Sequence, residues 1–333
     1  MSVPQIDTQI DTTEFERFSF DKAMAYRNGS WVQSSNLSWS VTDIATTHGV
    51  MLVERLRTVG GKIIDSPSHL QRLRTGAAMV GLLCDYLFES IEATLNNLVL
   101  KNGPFIEFHG DVGVVVLLSP GDPGHRKSAN PSPTLMMHLV PIPFEQLDKW
   151  YQQGCRLHVS KTCNVPAESW SPWIKTRSRL QYYLADNPPS PSSSSSTEEK
   201  SDSIAVLLST KGNITETSVS NLVMVDRNGV LRSPSKRDIL QGVSLAKVEE
   251  IAARQGMRLE YSDLSSNDFR RAAEILLTGT TGFLWAAVEF EGTQIGEGKP
   301  GPICKSIQQS WIDSLGFDFV KQPKAIAPNL TAN

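Results

Sequence analysis

The chain has 333 residues, with 32 Lys and Arg against 35 Asp and Glu, a net charge of −3, and 40% hydrophobic residues. That length suits about two domains, each able to bury a core. So balanced a charge gives no electrostatic footprint for a nucleic-acid backbone or an anionic membrane surface, and neither is expected as a partner.

The first half reads as mixed strands and helices. AMAY and SWVQ flank Asn28-Gly29, and MLVERLRTV and KII flank Gly60-Gly61, so two hairpins are expected. Asp65-Ser66-Pro67 offers a cap and a first-turn proline, and Leu70, Leu73, Ala77 and Val80 recur near helical spacing behind it. A second helix carries Leu87, Ile91, Leu95 and Leu98 on one stripe, and strands are expected at 104–108, 112–119 and 134–140.

The second half repeats the mixture without repeating the sequence. Strand 204–209 turns at Lys211-Gly212-Asn213 into ITET, and LVMV at 222–225 turns at Asn228-Gly229 into VLRS. Gly242 precedes a helix bearing Leu245, Val248 and Ile251, and EILLTG ends in a Gly/Thr cluster. Strands in runs of hairpins predict an α+β fold rather than a doubly wound parallel sheet. The stretch 187–203, rich in Ser and Pro, has no apolar anchor and is expected to be a flexible surface loop. Residues 1–17 and 319–333 read as tails.

No apolar run reaches the roughly 20 residues that cross a bilayer, and the polar, acidic N-terminus does not resemble a signal peptide. Cys84, Cys155, Cys163 and Cys304 form no CxxC pair, which suits free thiols, and the six histidines show no ligand spacing, so no metal is expected. A cytoplasmic location follows. Gly296-x-Gly298-x-x-Gly301 fits a dinucleotide-binding pattern, but Pro300 and Pro302 break the helix that should follow and no βαβ unit surrounds it, so a turn is expected.

Lys175 lies among Trp170, Trp173, Ile174 and Leu180. Such surroundings desolvate an amine, lower its pKa and make it a nucleophile toward carbonyls. The alternative is a lysine whose stem lies over aromatic surface with its amine in water. Gly242-Val243-Ser244 opens a helix, where free amides and the helix dipole face an anion, although Ser244 equally suits a capping role.

The ordered segments IKTRSRLQYYLAD, ITETSVSNLVMV, ILQGVSLAKVEEIAARQGM and EILLTGTTG resemble the fold-type IV pyridoxal-phosphate enzymes, the class IV aminotransferases. Upstream, Glu54-x-x-Arg57 and His69-x-x-Arg72 are similar to that family's N-terminal stretch, and IGEGKPGPICKSIQQSW is similar to the C-terminal segment of branched-chain aminotransferases. The resemblance covers about 42–315 and implies a two-domain, D-amino acid aminotransferase-like fold that binds pyridoxal 5′-phosphate. It also implies an N-terminal α+β domain over 18–140, a linker over 141–150 and a cofactor-binding domain over 151–318. By the same resemblance, Lys175 holds the cofactor covalently and shuttles a proton, and Glu216 pairs with the ring nitrogen. Arg72, Val243, Ser244 and Thr280 bind phosphate, while Leu240 packs against the ring. Asn221 matches less well and also suits capping of the next strand. Thr281 and Arg179 are candidates for the substrate, with Arg177 beside them. Family members are usually homodimers, and His48 aligns with a position that serves the neighbouring subunit.

The departures concentrate on substrate selection. Leu180 stands where branched-chain aminotransferases carry a tyrosine, Phe283-Leu284-Trp285 replaces their Glu-Ile-Thr, and Ile106-Glu107-Phe108 occupies the expected strand where some relatives carry an arginine. Amino transfer between an amino acid and a 2-oxo acid is the reading of this pattern. Lys175, Arg179 and Leu180 are also similar to aminodeoxychorismate lyases, which release pyruvate and 4-aminobenzoate. A non-catalytic binding module is the third reading. Joint retention of Lys175, Glu216, Arg72 and Gly242 argues against that one.

Overall fold

The computed structural model describes residues 17–82, 85–123, 132–188 and 203–330. Both hairpins of the first half form. β1 (Met24–Arg27) and β2 (Ser30–Gln33) pair across Asn28-Gly29, whose φ angles of 43° and 91° are what a tight two-residue hairpin turn needs. β3 (Leu52–Val59) and β4 (Lys62–Ile63) pair across Gly60-Gly61. With β5 (Gly113–Ser119) and β6 (Thr134–Val140) they make one antiparallel sheet in the order β2-β1-β6-β5-β3-β4. β5 is buried on both faces, as a Val-rich run in a central strand should be.

The helices of this half are α1 (Ile44–His48), α2 (Ser66–Met79), α3 (Asp85–Lys101) and α4 (Gly103–His109). α2 begins with Pro67 in its first turn as expected, but Asp65 caps it without a side-chain hydrogen bond and holds φ 52°. The strand expected at 104–108 is instead α4. Pro104 suits a first helical turn and would remove a ladder donor from a strand, while Phe105 and Ile106 turn into the core with Glu107 outside. Leu73, Ile91, Leu95 and Phe105 pack with Leu52, Leu56, Val114 and Val116 into the first core.

The second half contains α5 (Phe144–Gln153), β7 (Cys155–Val159), α6 (Leu180–Asp186), β8 (Ser203–Leu208), β9 (Ile214–Thr217), β10 (Asn221–Val225) and β11 (Leu231–Pro234). It continues with α7 (Val243–Arg254), β12 (Leu259–Ser262), α8 (Ser266–Arg270), β13 (Glu274–Gly279), β14 (Phe283–Phe290), β15 (Thr293–Gln294), α9 (Pro302–Leu315) and α10 (Gln322–Leu330). Its sheet runs β12-β11-β10-β13-β14-β7-β8-β9, with β15 on β14. Most neighbours are antiparallel, and β11/β12, β14/β7 and β7/β8 are parallel, so the α+β expectation holds.

Three expectations are corrected here. Most of 141–150 is α5, because Phe144, Leu147 and Tyr151 share a face that enters the second core. Pro302 does not break a helix but opens α9, and its first free amides at Ile303 and Cys304 donate to the Glu274 carboxylate at 2.8 and 3.0 Å. That helix N-terminus is already filled by the chain's own acid. The supposed tail beyond 318 places Phe319 in the core and then forms α10. Residues 1–16 and 189–202, and so most of the expected flexible insertion, lie outside the described residues.

Candidate active site

β3 builds the seam between the two sheets. Along a strand, alternate side chains point to opposite faces, and here the even positions Leu52, Glu54 and Leu56 face α2 while Val53, Arg55 and Arg57 face the second half. The segment carrying Lys175 lies antiparallel against the start of that strand. Val53 N–H donates to the Lys175 carbonyl at 2.9 Å, and Met51 O accepts from Arg177 N–H at 2.8 Å and Thr176 Oγ1 at 3.0 Å. Ile174 packs into the first core, and Trp173 Nε1–H donates to Lys236 O at 3.0 Å. These anchors hold Lys175 in the wall of a cavity of about 270 Å³ between the sheets. Burial, and then the Arg72 and Arg179 charges, lower its amine to about 8 against the pull of Glu54 and Glu216. Among the described residues no hydrogen bond or ion pair engages its Nζ.

Glu216 lines the same cavity from β9. Its Oε1 accepts from Tyr182 Oη at 2.7 Å, and its Oε2 accepts from Asn221 Nδ2 and Leu240 N–H, each at 3.1 Å. Asn221 Nδ2 also donates to Leu240 O at 3.0 Å, so it ties the carboxylate to the approach to α7 rather than capping β10. Burial pushes the Glu216 carboxyl up from its usual range, against these donors and the nearby Lys175 and Arg179 charges. Glu216 is thus a buried acid with fixed orientation and, among the described residues, no ion pair within 4 Å.

Facing it is the start of α7. Gly242 caps the helix in extended backbone without any side-chain hydrogen bond, so the amides of Val243 and Ser244 open on the cavity. A Cβ at Gly242 would lie 2.0 Å from Asn221 Oδ1, which explains the glycine by close approach. Arg72 reaches over from α2, donating to Gln241 O at 2.9 Å through Nη1 and to both Glu54 oxygens at 2.7 Å through Nε and Nη2. His69 Nδ1 lies 2.8 Å from Glu54 Oε2. Burial pushes the Glu54 carboxyl up, but Arg72 and then His69 outweigh it and hold it down at about 2.

The turn after β13 completes the wall. Its carbonyls are taken up behind the cavity: Thr281 O accepts from Arg57 Nη1 at 2.6 Å, Gly282 O from Tyr151 Oη at 2.8 Å, and Phe283 O from Thr278 Oγ1 at 2.7 Å. Phe283 holds φ 53°, a strained value for a bulky residue. Arg57 above its ring at 4.6 Å and Phe319 stacked at 4.3 Å keep it there, and Thr280 and Thr281 remain on the cavity side.

Most residues singled out in the sequence therefore meet in one cavity: Arg72, Lys175, Arg177, Arg179, Glu216, Leu240, Val243, Ser244, Thr280 and Thr281. His48 does not. It is exposed at the end of α1, with Nδ1 2.7 Å from Thr47 Oγ1. Leu180 is exposed outside the cavity, Phe283, Leu284 and Trp285 are buried in the core, and Ile106-Glu107-Phe108 lies on α4. Arg55 and Tyr182 enter the site without having been singled out. Alternation within Glu54-Arg55-Leu56-Arg57 was the available signal for Arg55, whereas only the fold brings Tyr182 to Glu216.

The sequence profile described as Amino-transferase class IV matches residues 51–290. The chain belongs to this family. The class IV aminotransferase is 21% identical over 301 residues to a D-alanine aminotransferase of Bacillus licheniformis, covering 88% of this chain and 98% of that one. It is 35% identical over 107 residues to branched-chain-amino-acid aminotransferase-like protein 2 of Arabidopsis thaliana, a match covering 32% of this chain and 19% of the relative. Its fold is similar to a branched-chain aminotransferase from the thermophilic archaeon Thermoproteus uzoniensis, solved with norvaline. That superposition has a TM-score of 0.75 and 19% identity, and covers 92% of this chain and 97% of the other.

Proposed function

We propose that this class IV aminotransferase binds pyridoxal 5′-phosphate in the cavity, covalently through Lys175, and transfers an amino group between an amino acid and a 2-oxo acid. The observation that carries this is the convergence of three features on one cavity: an amine lowered to about 8, a buried acid lacking a cation, and an uncapped helix N-terminus. When bound, the cofactor supplies an electron sink for the pair left on the substrate α-carbon. The residues fit such a group. Val243 and Ser244 amides, with Arg72 and the Thr280 hydroxyl, suit a phosphate, and Leu240 offers an apolar side chain beside Glu216 for a ring. Glu216, fixed by Tyr182, Asn221 and the Leu240 amide, suits acceptance of a ring N–H, and a cation there offsets the cost of burying the acid. Lys175, freed from the cofactor, takes the proton from the substrate α-carbon, with the lowered pKa keeping a useful fraction of the amine neutral near pH 7.

The same proposal places the enzyme in the cytoplasm and makes it a homodimer with His48 serving a neighbouring subunit. The three described cysteines are free thiols, and Val41, Leu180, Tyr183 and Val219 are exposed apolar side chains suited to a partner copy. The test is to add pyridoxal 5′-phosphate to the apoprotein and follow the borohydride-sensitive visible band. Its rate of appearance should climb about tenfold per pH unit and level off near pH 8, where the amine becomes neutral. A rate still climbing at pH 10 would mean an ordinary surface lysine.

A further inference from the structure

We propose that Gln322 and Phe319 are positioning residues, through which the C-terminal segment sets the turn that presents Thr280 and Thr281 to the cavity. The inference rests on the aminotransferase reading for what that turn does. Both residues lie beyond the stretch 51–290 that the family profile matches, and neither lines the cavity.

By its packing the C-terminal segment belongs to the second half, since Phe317, Phe319, Val320 and Ile326 join the second core. Gln322, at the start of α10, nevertheless reaches the first half. Its Oε1 accepts from Arg57 Nη2 at 2.8 Å, and its Nε2 donates to Gly110 O and to Asp111 Oδ2, each at 2.8 Å. Asp111 in turn accepts from Thr58 Oγ1 at 2.7 Å and from the Gly60 and Gly61 amides at 3.1 and 3.0 Å. Gly110, at φ 65°, leaves the room for this crossing, because a Cβ there would lie 2.5 Å from Ile326 Cδ1. One neutral amide thus joins a buried acid to a buried cation. A carboxylate at 322 would lose both donations, and a cation there would face the guanidinium.

The other end of this run of contacts is the turn. Arg57 has two further acceptors, both backbone carbonyls, Thr58 O at 3.3 Å and Thr281 O at 2.6 Å. Gln322 therefore supplies its only side-chain oxygen among the described residues. Phe319 stacks on Phe283, so the C-terminal segment grips both neighbours of Gly282, one through Arg57 and one directly. In a planar trans peptide C=O and N–H point oppositely, so fixing the Thr281 carbonyl behind the cavity also fixes the direction of the Gly282 N–H. A bulky residue at φ 53° persists only where its surroundings over-determine it, and Phe283 has Phe319 and Arg57 at 4.3 and 4.6 Å from its ring centre. Core packing alone explains Phe319. It does not explain Gln322, whose three hydrogen bonds all go to Arg57 and to the bend at Gly110 and Asp111.

The test is hydrogen exchange of the full-length protein, with and without pyridoxal 5′-phosphate, read peptide by peptide beside steady-state kinetics with norvaline and D-alanine as donors. Gln322→Met keeps the side-chain length and removes the amide. It should speed exchange over 279–285 about tenfold, the usual worth of one hydrogen bond, and leave β5 unchanged. KM for the donor should rise by a similar factor while kcat changes by less than about threefold. Gln322→Glu keeps the acceptor for Arg57, so its KM should stay near the unaltered value even where the melting temperature falls. Phe319→Leu should loosen the same peptide. Faster exchange spread evenly over α5, β5 and the turn overturns the proposal, as does an unchanged KM in Gln322→Met. Should Phe319→Leu not fold, the two variants of the half-buried Gln322 still decide. Exchange needs no turnover, so a turn that loosens as expected in a protein that transfers no amino group would sink the aminotransferase reading alone.

Discussion

The two ends of the cavity are built on opposite principles. At the α7 end each charged group is fixed by the chain itself: Arg72 by Glu54 and Gln241, and Glu216 by Tyr182, Asn221 and the Leu240 amide. At the β3 end Arg55 keeps a buried Nε without an acceptor and Arg177 stands at the mouth without an ion pair among the described residues. Groups that are already satisfied hold one geometry, as a resident cofactor needs. Unsatisfied donors leave room for a ligand that comes and goes.

That contrast is broken most severely at Lys175. Lys175→Ala should abolish the borohydride-sensitive visible band and reduce turnover to background while the far-ultraviolet circular dichroism is unchanged. Persistence of both band and turnover would remove the lysine from its assigned role. Next in size, Glu216→Gln should keep the cofactor but lower kcat by about a hundredfold or more, since a neutral amide cannot match the charge on a ring nitrogen. Lost cofactor with unchanged turnover per bound cofactor would instead make the residue structural.

Arg72→Ala acts on two quantities that can be read separately. It should weaken pyridoxal 5′-phosphate binding by about 1.5–3 kcal/mol. It should also destabilise the apoprotein by about 3–5 kcal/mol, because Glu54 stays buried without its cation. Replacing Glu54 by Gln in the same chain should restore most of the stability and none of the cofactor affinity, as measured by urea unfolding and cofactor titration. The pH dependence follows from the same pair. Glu54 ionises at about 2 in the fold against an ordinary 4.5, so its contribution, on the order of 3 kcal/mol, is fully present above pH 4.5 and is lost as pH falls toward 2. In the Arg72→Ala variant this stretch of the stability profile should flatten.

The smallest effect is expected for the Ser/Pro-rich stretch. Replacing residues 189–202 with a short Gly/Ser linker should leave melting temperature and kcat nearly unchanged, since the segment offers little apolar surface and loop-closure entropy changes by only about 0.6 kcal/mol per doubling of length. Turnover lost for bulky donors alone would reassign the segment to the active site.

Much of the site was legible because its signals are local. Gly242 before an apolar helix repeat, the Gly/Thr cluster after EILLTG, and Asn-Gly turns between apolar runs each state their backbone need within a few residues. Signals that mislead did so where a short apolar run suits two structures. Pro104-Phe105-Ile106 is a short apolar run that suits a strand, yet it forms α4 because two adjacent apolar residues can enter one core from a helix but not from one face of a strand. Phe144, Leu147 and Tyr151, or Phe319, show no strong pattern alone. Only the neighbouring sheet makes a core helix of the expected linker and a buried plug of the expected tail.

The sequence by itself determined the α+β class and the hairpin positions, because turns, caps and periodicity depend on near neighbours, while the roles expected of Lys175, Glu216 and Arg72 came from the resemblance of ordered motifs. Tertiary structure alone decided that Tyr182 orients Glu216, that Arg57 holds the Thr281 turn, that His48 stays outside the cavity and that Arg55 and Arg177, from different halves, line one cavity. Each of these depends on separate segments arriving together, and the free energy that brings them there comes from burying two apolar cores rather than from the polar groups that end up in contact.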